Sequence, residues 1–200
     1  MNNKVTVIIP YKTDRGWLKD AIVSVPMNVQ LIVSQGKGNW PQNFNKALSQ
    51  ATGDFIKYLH EDDMLTVNCI EDSLKTFESS GCDFIHGNAI ELENGTYYKL
   101  YKPMILIPTF DNLLKTNSIH SATTMYRRWV FEKLGTFSED NRYYSFEEFE
   151  FNLRLLKGGL KIGYCNQSLA FYRRHPRQII RTVDKQKRKE NRQELINMYK

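Results

Sequence analysis

Short apolar runs alternate with amphipathic segments along the first 90 residues of the chain. The run Val5–Ile9 is almost entirely apolar and stops at Pro10, as a buried strand does, whereas residues 66–79 carry apolar side chains at helical spacing. This half is expected to form strands at Val5–Ile9, Val29–Val33, Asp54–Leu59 and Cys82–His86, and helices at Trp17–Val25, Asn43–Ala51 and 66–79. The alternation predicts an α/β fold with a parallel sheet covered by helices.

The second half of the chain is less regular. Residues 91–101 predict a hairpin around Asn94-Gly95, and residues 103–118 predict a loop. The other elements are expected to be strands at Ser121–Tyr126, Ile162–Cys165 and Leu169–Tyr172, and helices at Trp129–Leu134, 145–157 and 184–199. Together they predict one compact domain at 1–182, followed by a basic C-terminal helix at 183–200.

The composition is that of one folded domain. The 200 residues are 41% hydrophobic and 25% charged, and no apolar run approaches the roughly 20 residues needed to span a bilayer. Met1 leads directly into the first strand, without a signal-peptide core. Cys69, Cys82 and Cys165 lie far apart without metal-ligand spacing, so we expect reduced, buried thiols and a cytoplasmic location.

The positive charge is concentrated at the C-terminal end of the chain. Residues 173–200 hold ten Lys or Arg and three Asp or Glu, a net charge of +7, whereas the other 172 residues carry a net charge of −1. Such a segment is either a solvated helix or a peripheral contact with an anionic membrane surface. Outside this segment, basic and aromatic residues do not interleave, so no nucleic-acid partner is expected.

Three consecutive acids follow the third predicted strand. Glu61, Asp62 and Asp63 repel one another unless a positive group lies among them, and carboxylate oxygens are the ligands that magnesium and manganese prefer. At the end of a strand, a metal of this kind can hold a phosphorylated ligand. The alternative is a solvated acidic turn in which Asp63 or Thr66 caps the next helix.

Six segments, in this order along the chain, resemble motifs of family 2 glycosyltransferases. They are Val5–Tyr11, Asn45–Ile56, Leu59–Asp63, Met125–Phe137, Phe146–Leu155 and Tyr172–His175. The resemblance covers roughly residues 4–178. It implies a single GT-A domain with a mostly parallel central sheet and helices on both faces, in which about 1–100 bind the nucleotide sugar and about 101–182 bind the acceptor. The implied reaction is inverting, metal-dependent transfer of a sugar from a nucleotide diphosphate to an acceptor hydroxyl.

The resemblance implies a manganese or magnesium ion at the acidic motif. Asp62 is the first expected ligand, Asp63 and Glu61 are candidates for direct or water-mediated contact, and His175 is expected to contact the metal or a phosphate. The chain departs from the family at His60, where the first Asp of a D-x-D pattern usually stands.

The resemblance also implies a set of donor contacts at the ends of the first strands and after the last one. The expected residues are Pro10, Tyr11, Lys12, Asp14, Ser34, Asn45, Glu61, Arg173 and Arg174. A UDP-sugar is the favoured donor, although the loop 34–38 lacks the acids that the family often places there. The acceptor is expected to be a glycan or a lipid-linked molecule.

An inverting transfer requires a base that deprotonates the acceptor hydroxyl. The register of the motif implies Glu148 as this base, with Glu147 as the alternative. A competing interpretation is structural, because Ser145-Phe146-Glu147-Glu148 also has the S-x-x-E spacing of a capping box. In that case Glu148 would fold back onto the backbone of Ser145.

Two other functions are considered. A sugar-1-phosphate nucleotidyltransferase would need a glycine-rich phosphate loop after the first strand. Residues 10–16, which follow that strand here, contain one glycine and do not meet this need. A non-catalytic nucleotide-sugar-binding module would have no need of the carboxylates at positions 62, 63 and 148.

Overall fold

The computed structural model describes residues 4–200 and contains eight strands and eight α-helices within that range. The strands are β1 (Val5–Tyr11), β2 (Gln30–Gln35), β3 (Phe55–Tyr58), β4 (Met64–Leu65), β5 (Phe84–Glu93), β6 (Thr96–Tyr101), β7 (Met125–Arg127) and β8 (Ile162–Arg174). The helices are α1 (Leu18–Val23), α2 (Trp40–Leu48), α3 (Cys69–Ser80), α4 (Phe110–Lys115), α5 (Trp129–Leu134), α6 (Glu147–Lys157), α7 (Ile179–Thr182) and α8 (Lys185–Tyr199).

All the described strands join one sheet with the order β2-β1-β3-β7-β5-β8-β4, and β6 pairs with β5. The pairs β1–β2, β1–β3 and β5–β8 are parallel, as predicted. However, β7 runs antiparallel to both β3 and β5, β4 runs antiparallel to β8, and β6 to β5. Most of the paired residues are therefore in parallel pairs, as predicted, and the antiparallel strands β4, β6 and β7 make the sheet a mixed one. Only a parallel neighbour needs a long crossover, and β7 enters the sheet directly from a short 3₁₀ turn at Ser121–Thr123.

Helices cover both faces of the sheet, as predicted. Successive side chains of a strand point to opposite faces, and Ile8 and Val7 accordingly belong to two different clusters of buried side chains. The cluster around Ile8 includes side chains of α2, α5 and α6, and the cluster around Val7 includes those of α1 and α3. The sheet therefore has an apolar layer on each side.

Three segments of the second half differ from the sequence prediction. The predicted loop at 103–118 contains the short helix α4. A capping box between Thr109 and Asn112 stabilises the N-terminus of this helix. The predicted strand Ser121–Tyr126 is a 3₁₀ turn followed by β7. The two predicted strands after Gly159 form one strand, β8, whose register against β5 shifts opposite Gly87 and Asn88.

The basic helix α8 packs against the body of the protein. Leu195 and Ile196 are buried, and the Tyr199 hydroxyl donates to Glu150 Oε1 at 2.6 Å. Its lysines at 185, 187 and 189 stay exposed. None of the helices described within residues 4–200 combines the length and apolar character that a bilayer span requires. The three cysteines are buried and free, in agreement with the sequence prediction.

Candidate functional site

A cleft of about 500 Å³ opens where β1 and β3 end. The carboxyl ends of neighbouring parallel strands meet at the same edge of a sheet, which brings the residues after β1 next to those after β3. The lining includes Pro10, Tyr11, Lys12, Arg15, Trp40, His60, Glu61, Asp62, Asp63, Tyr144, Glu147, Glu148 and Tyr172. The predicted metal motif and both candidate bases therefore border one cavity.

Arg15 supplies the positive charge among the three acids. Its Nε donates to Glu61 Oε1 at 2.8 Å, its Nη2 donates to the same oxygen, and Nη2 also lies 3.3 Å from Asp62 Oδ2. The sequence did not predict this contact, because Arg15 and Glu61 are 46 positions apart and no local pattern joins them.

Asp62 also contacts His175, whose Nε2 lies 2.9 Å from Asp62 Oδ2. Burial alone would raise the pKa of Asp62, but the hydrogen bond from His175 and the charges of His60 and Arg15 hold that pKa below its ordinary value. Asp62 is therefore a carboxylate in the cleft. His175 is 6% exposed, its ring packs at a tilt against that of Trp17 with the centroids 4.2 Å apart, and its Nδ1 finds no hydrogen-bond partner among residues 4–200.

Asp63 has a different role from Asp62. It is 1% exposed, and its Oδ1 accepts a hydrogen bond from the backbone N–H of Arg173 at 2.9 Å. Burial and the neighbouring charge of Asp62 raise the pKa of Asp63 well above its ordinary value. Asp63 thus fixes β8 to the end of β3, and it is less suited than Asp62 to bind a cation.

Glu148 is in the first turn of α6 and lines the same cleft as the acidic motif. Its Oε1 accepts a hydrogen bond from the Tyr58 hydroxyl at 3.2 Å and lies 3.1 Å from His60 Nε2. Although burial opposes both charges, the hydrogen bond between the two groups and their mutual attraction raise the pKa of His60 to about 9 and lower the pKa of Glu148. At neutral pH the pair is an imidazolium and a carboxylate.

The capping-box interpretation of Glu148 is wrong. Phe146, not Ser145, occupies the N-cap of α6, and no side chain caps this helix. Ser145 has a left-handed backbone with φ of 71°, and its hydroxyl has no hydrogen-bond partner within residues 4–200.

Glu147 is the more buried of the two candidate bases. It is 2% exposed, and its Oε2 has no hydrogen-bond partner in the described part of the chain. Burial, together with the charge of Glu148, raises the pKa of Glu147 to about 8. Glu147 therefore carries a proton at neutral pH.

Residues 55–190 match the model of a protein family described as "Glycosyl transferase family group 2". The chain belongs to this family. It is similar to the uncharacterized glycosyltransferase YwdF of Bacillus subtilis (strain 168), at 24% identity over 78% of this chain and 56% of YwdF.

Solved structures of S. aureus TarS share the fold of this family 2 chain. TarS 1-349 in complex with UDP-GlcNAc superposes with a TM-score of 0.71 at 17% identity, covering 90% of this chain and 61% of that one. The complex with UDP gives a TM-score of 0.69 at 18% identity, covering 98% and 65%. The fold is therefore the GT-A fold of these glycosyltransferases, and this chain spans less than two thirds of the length of either relative.

Three of the donor contacts expected from the family lie outside the cleft. Asp14 Oδ1 accepts hydrogen bonds from the backbone of residues 16 and 18, which fixes the turn before α1. Ser34 donates to the carbonyl of Asn43, and Asn45 donates to the carbonyl of Phe137 and to Glu139. These three side chains satisfy the protein's own backbone, whereas Pro10, Tyr11 and Lys12 do line the cleft.

The two arginines of the family's closing motif also point away from the cleft. Arg173 donates to the carbonyl of Asp62 and to Asp20 Oδ2, and Arg174 donates to Glu91 Oε2 and lies 4.2 Å over the ring of Tyr98. Neither arginine lines the cleft in this structure, and their expected contact with a diphosphate stays a prediction. His175, which follows the end of β8, is the member of the motif that contacts the Asp62 carboxylate.

The family 2 site has a partial set of metal ligands. No group of three or more His, Cys, Asp or Glu side chains within residues 4–200 surrounds a common metal position. Asp62 Oδ2 and His175 Nε2 nevertheless converge to 2.9 Å. Magnesium is usually bound through one or two carboxylates, substrate phosphates and water. The donor set therefore fits a divalent cation that takes its other ligands from a phosphorylated ligand and water.

Proposed function

We propose that the chain transfers a sugar from a nucleotide-diphosphate sugar to an acceptor hydroxyl, with inversion at the anomeric carbon. The observation that carries this proposal is that two ionised carboxylates, Asp62 and Glu148, border one cleft of about 500 Å³. A transfer of this kind needs one negative group for the donor's cation and a second for the acceptor's proton.

Asp62 and His175 would hold the divalent cation, manganese or magnesium, at the floor of the cleft. Bound there, the cation would offset the negative charge that develops on the departing diphosphate. Tyr11 and Lys12 lie on the same lining and are the proposed contacts to the nucleotide. TarS binds UDP-GlcNAc and UDP in its crystal structures, which supports a UDP-sugar as the donor of this chain.

Glu148 is the proposed base. The acceptor oxygen forms a bond to the anomeric carbon while the bond from that carbon to the diphosphate oxygen breaks, and the hydroxyl proton passes to the Glu148 carboxylate. Glu147 is protonated at neutral pH and cannot accept this proton. The hydrogen bonds from Tyr58 and His60 fix the orientation of the Glu148 carboxylate. The proposed acceptor is a glycan or a lipid-linked molecule.

A non-catalytic nucleotide-sugar-binding module is the second candidate. The observation that favours it is the close pairing of His60 with Glu148, which reduces the basicity of that carboxylate. Nothing at the end of β1 favours a sugar-1-phosphate nucleotidyltransferase, because residues 10–16 contain one glycine.

Donor turnover distinguishes these two functions. We expect the wild-type chain to release UDP from a UDP-sugar in the presence of manganese. The Asp62→Asn variant should release no UDP, either with or without manganese. The Glu148→Gln variant should bind the donor and fail to turn it over. Donor binding without any turnover by the wild-type chain, across a panel of nucleotide sugars and glycan acceptors, would favour the binding module.

We also propose a cytoplasmic enzyme that contacts an anionic membrane surface through α8. The exposed lysines at 185, 187 and 189 support this, as do the free, buried cysteines. Deleting α8 would disturb the core at Leu195, so the test is the Lys185→Glu/Lys189→Glu variant in a sedimentation assay with phosphatidylserine vesicles. Partitioning equal to that of the wild type would refute the membrane contact.

A further inference from the structure

Arg15 occupies the position in the cleft where a cation would neutralise the acids. It is the side chain that contacts both Glu61 and Asp62, and its third donor, Nη1, binds the carbonyl of Arg177 at 2.9 Å. The Arg15 side chain is 24% exposed and lines the cleft. The two acids are therefore already compensated before any ligand is present.

The protein fixes Arg15 through a reciprocal contact between two segments. Arg177 Nη2 donates to the carbonyl of Arg15 at 3.0 Å, and the guanidinium of Arg177 lies 4.8 Å from the ring centroid of Trp17. The same ring packs against His175, the second proposed ligand of the cation. The loop after β1 and the segment after β8 thus hold Arg15 and His175 on the same oxygen, Asp62 Oδ2.

A divalent cation on Asp62 Oδ2 competes with Arg15. The guanidinium of Arg15 already donates to this oxygen at 3.3 Å, and like charges at contact distance repel in a partly buried site. A cation bound at Asp62 Oδ2 would therefore favour release of Arg15 from that oxygen. Once released, its planar set of donors faces the cleft, and such a set matches two oxygens of a diphosphate.

We propose that Arg15 is an exchangeable cation: it neutralises Glu61 and Asp62 in the empty cleft, and it transfers its Nη2 donor to the diphosphate when a divalent cation binds Asp62. This inference rests on the proposed function and deepens it. It makes the cation and the nucleotide diphosphate bind cooperatively, because each favours the released position of Arg15.

The test compares Arg15→Met with Arg181→Met in manganese binding without nucleotide, followed by electron paramagnetic resonance, and in UDP binding with saturating manganese, followed by calorimetry. Both variants lose one positive charge, but Arg181 contacts Glu93 and not the acids of the cleft. We expect Arg15→Met to bind manganese alone about tenfold more tightly and UDP about tenfold more weakly. Arg181→Met should stay within about twofold of the wild type in both measurements.

A third variant keeps the test decisive if Arg15→Met folds poorly. Arg15→Lys retains the charge but lacks the planar pair of donors, so its UDP affinity should fall while its manganese affinity stays near that of the wild type. Equal effects of Arg15→Met and Arg181→Met, or unchanged UDP binding in both Arg15 variants, would overturn the exchange. If the wild-type chain binds no nucleotide diphosphate with manganese, the proposed function itself fails, which is a different result.

Discussion

His60 Nε2 lies 3.1 Å from Glu148 Oε1, so the residue that replaces the first Asp of the family's D-x-D pattern contacts the proposed base. An Asp at position 60 would place a second negative charge beside Glu148. The histidine instead compensates that charge, and the Tyr58 hydroxyl shares the same carboxylate oxygen. The departure from the family pattern thus changes the environment of the base as well as that of the metal motif.

The first prediction concerns this base. Glu148→Gln keeps the shape and the hydrogen-bond acceptor of the side chain but removes its ability to take a proton, so kcat should fall by about 10²- to 10⁴-fold. Donor affinity, measured by calorimetry, should change by less than about twofold. A larger loss of kcat in Glu147→Gln than in Glu148→Gln would assign the base to Glu147 instead.

The second prediction concerns the pH dependence of stability at Glu147. Its pKa is raised from 4.5 to about 8 by burial and by the charge of Glu148, so between these values the unfolded chain ionises at this residue while the folded chain does not. The wild type is therefore most stable relative to Glu147→Gln below pH 4.5, and this stability is lost as the pH rises to about 8.

Glu147→Gln should consequently raise the free energy of unfolding above pH 8 by at most about 5 kcal/mol and should give no gain at pH 4. Urea unfolding of both proteins across this pH range measures the difference. A constant difference between the two proteins at all pH values would show that Glu147 has an ordinary pKa.

The third prediction concerns the buried ion pair that joins α6 to its surroundings. Arg154 donates to both oxygens of Glu150, to the carbonyl of Leu134 at 2.6 Å and to that of Thr136 at 2.8 Å. Arg154→Met leaves the buried Glu150 charge without its cation, which should cost about 3 to 5 kcal/mol in the free energy of unfolding. Chemical denaturation measures this loss.

The matched control for Arg154 is the exposed pair of Glu71 and Lys75, which has the same i, i+4 spacing. Lys75→Met should cost less than about 0.5 kcal/mol, because both side chains are about two-thirds exposed and water screens their attraction. Similar costs for the two variants would mean that burial of the Arg154 pair adds nothing to stability.

The fourth prediction concerns the close approach of Gly53 to β1. A Cβ at position 53 would lie 2.6 Å from the backbone nitrogen of Thr6 and 2.7 Å from the carbonyl carbon of Val5. Gly53→Ala should therefore push β3 away from β1 and cost about 2 kcal/mol or more in the free energy of unfolding. At Gly81, where φ is +61° and the space is open, alanine should cost only about 1 kcal/mol. Equal losses in the free energy of unfolding for the two variants would show that β1 shifts to make room for the added methyl group.

The sequence was informative where local pattern determines structure. The prediction was right for β1, for α3 and for the position of the acids at the end of β3. Buried strands and amphipathic helices leave a regular pattern of apolar residues in the chain, and the pattern stops where the element ends. Arg15 was missed, since its carboxylate partners are distant in sequence. Arg173 and Arg174 were expected in the cleft because a motif gives position along the chain, but a motif does not show which distant groups of the fold bind each guanidinium.

The same reason explains why the antiparallel direction of β7 was not predicted. A run of three residues such as β7 carries too little pattern to reveal its direction, and its place between β3 and β5 follows from tertiary contacts. Asn45 and Ser34 were expected to contact a ligand because the family resemblance implies it, but other groups of this chain accept their hydrogen bonds in this structure.

The most direct test of the account is the affinity of UDP, measured by calorimetry with manganese present, for the wild-type chain and for Asp62→Asn. The account predicts that UDP binds the wild type and that its affinity falls at least about tenfold, both in the variant and after removal of manganese with a chelator. Equal UDP affinity under all three conditions would contradict the claim that Asp62 holds a cation against the diphosphate.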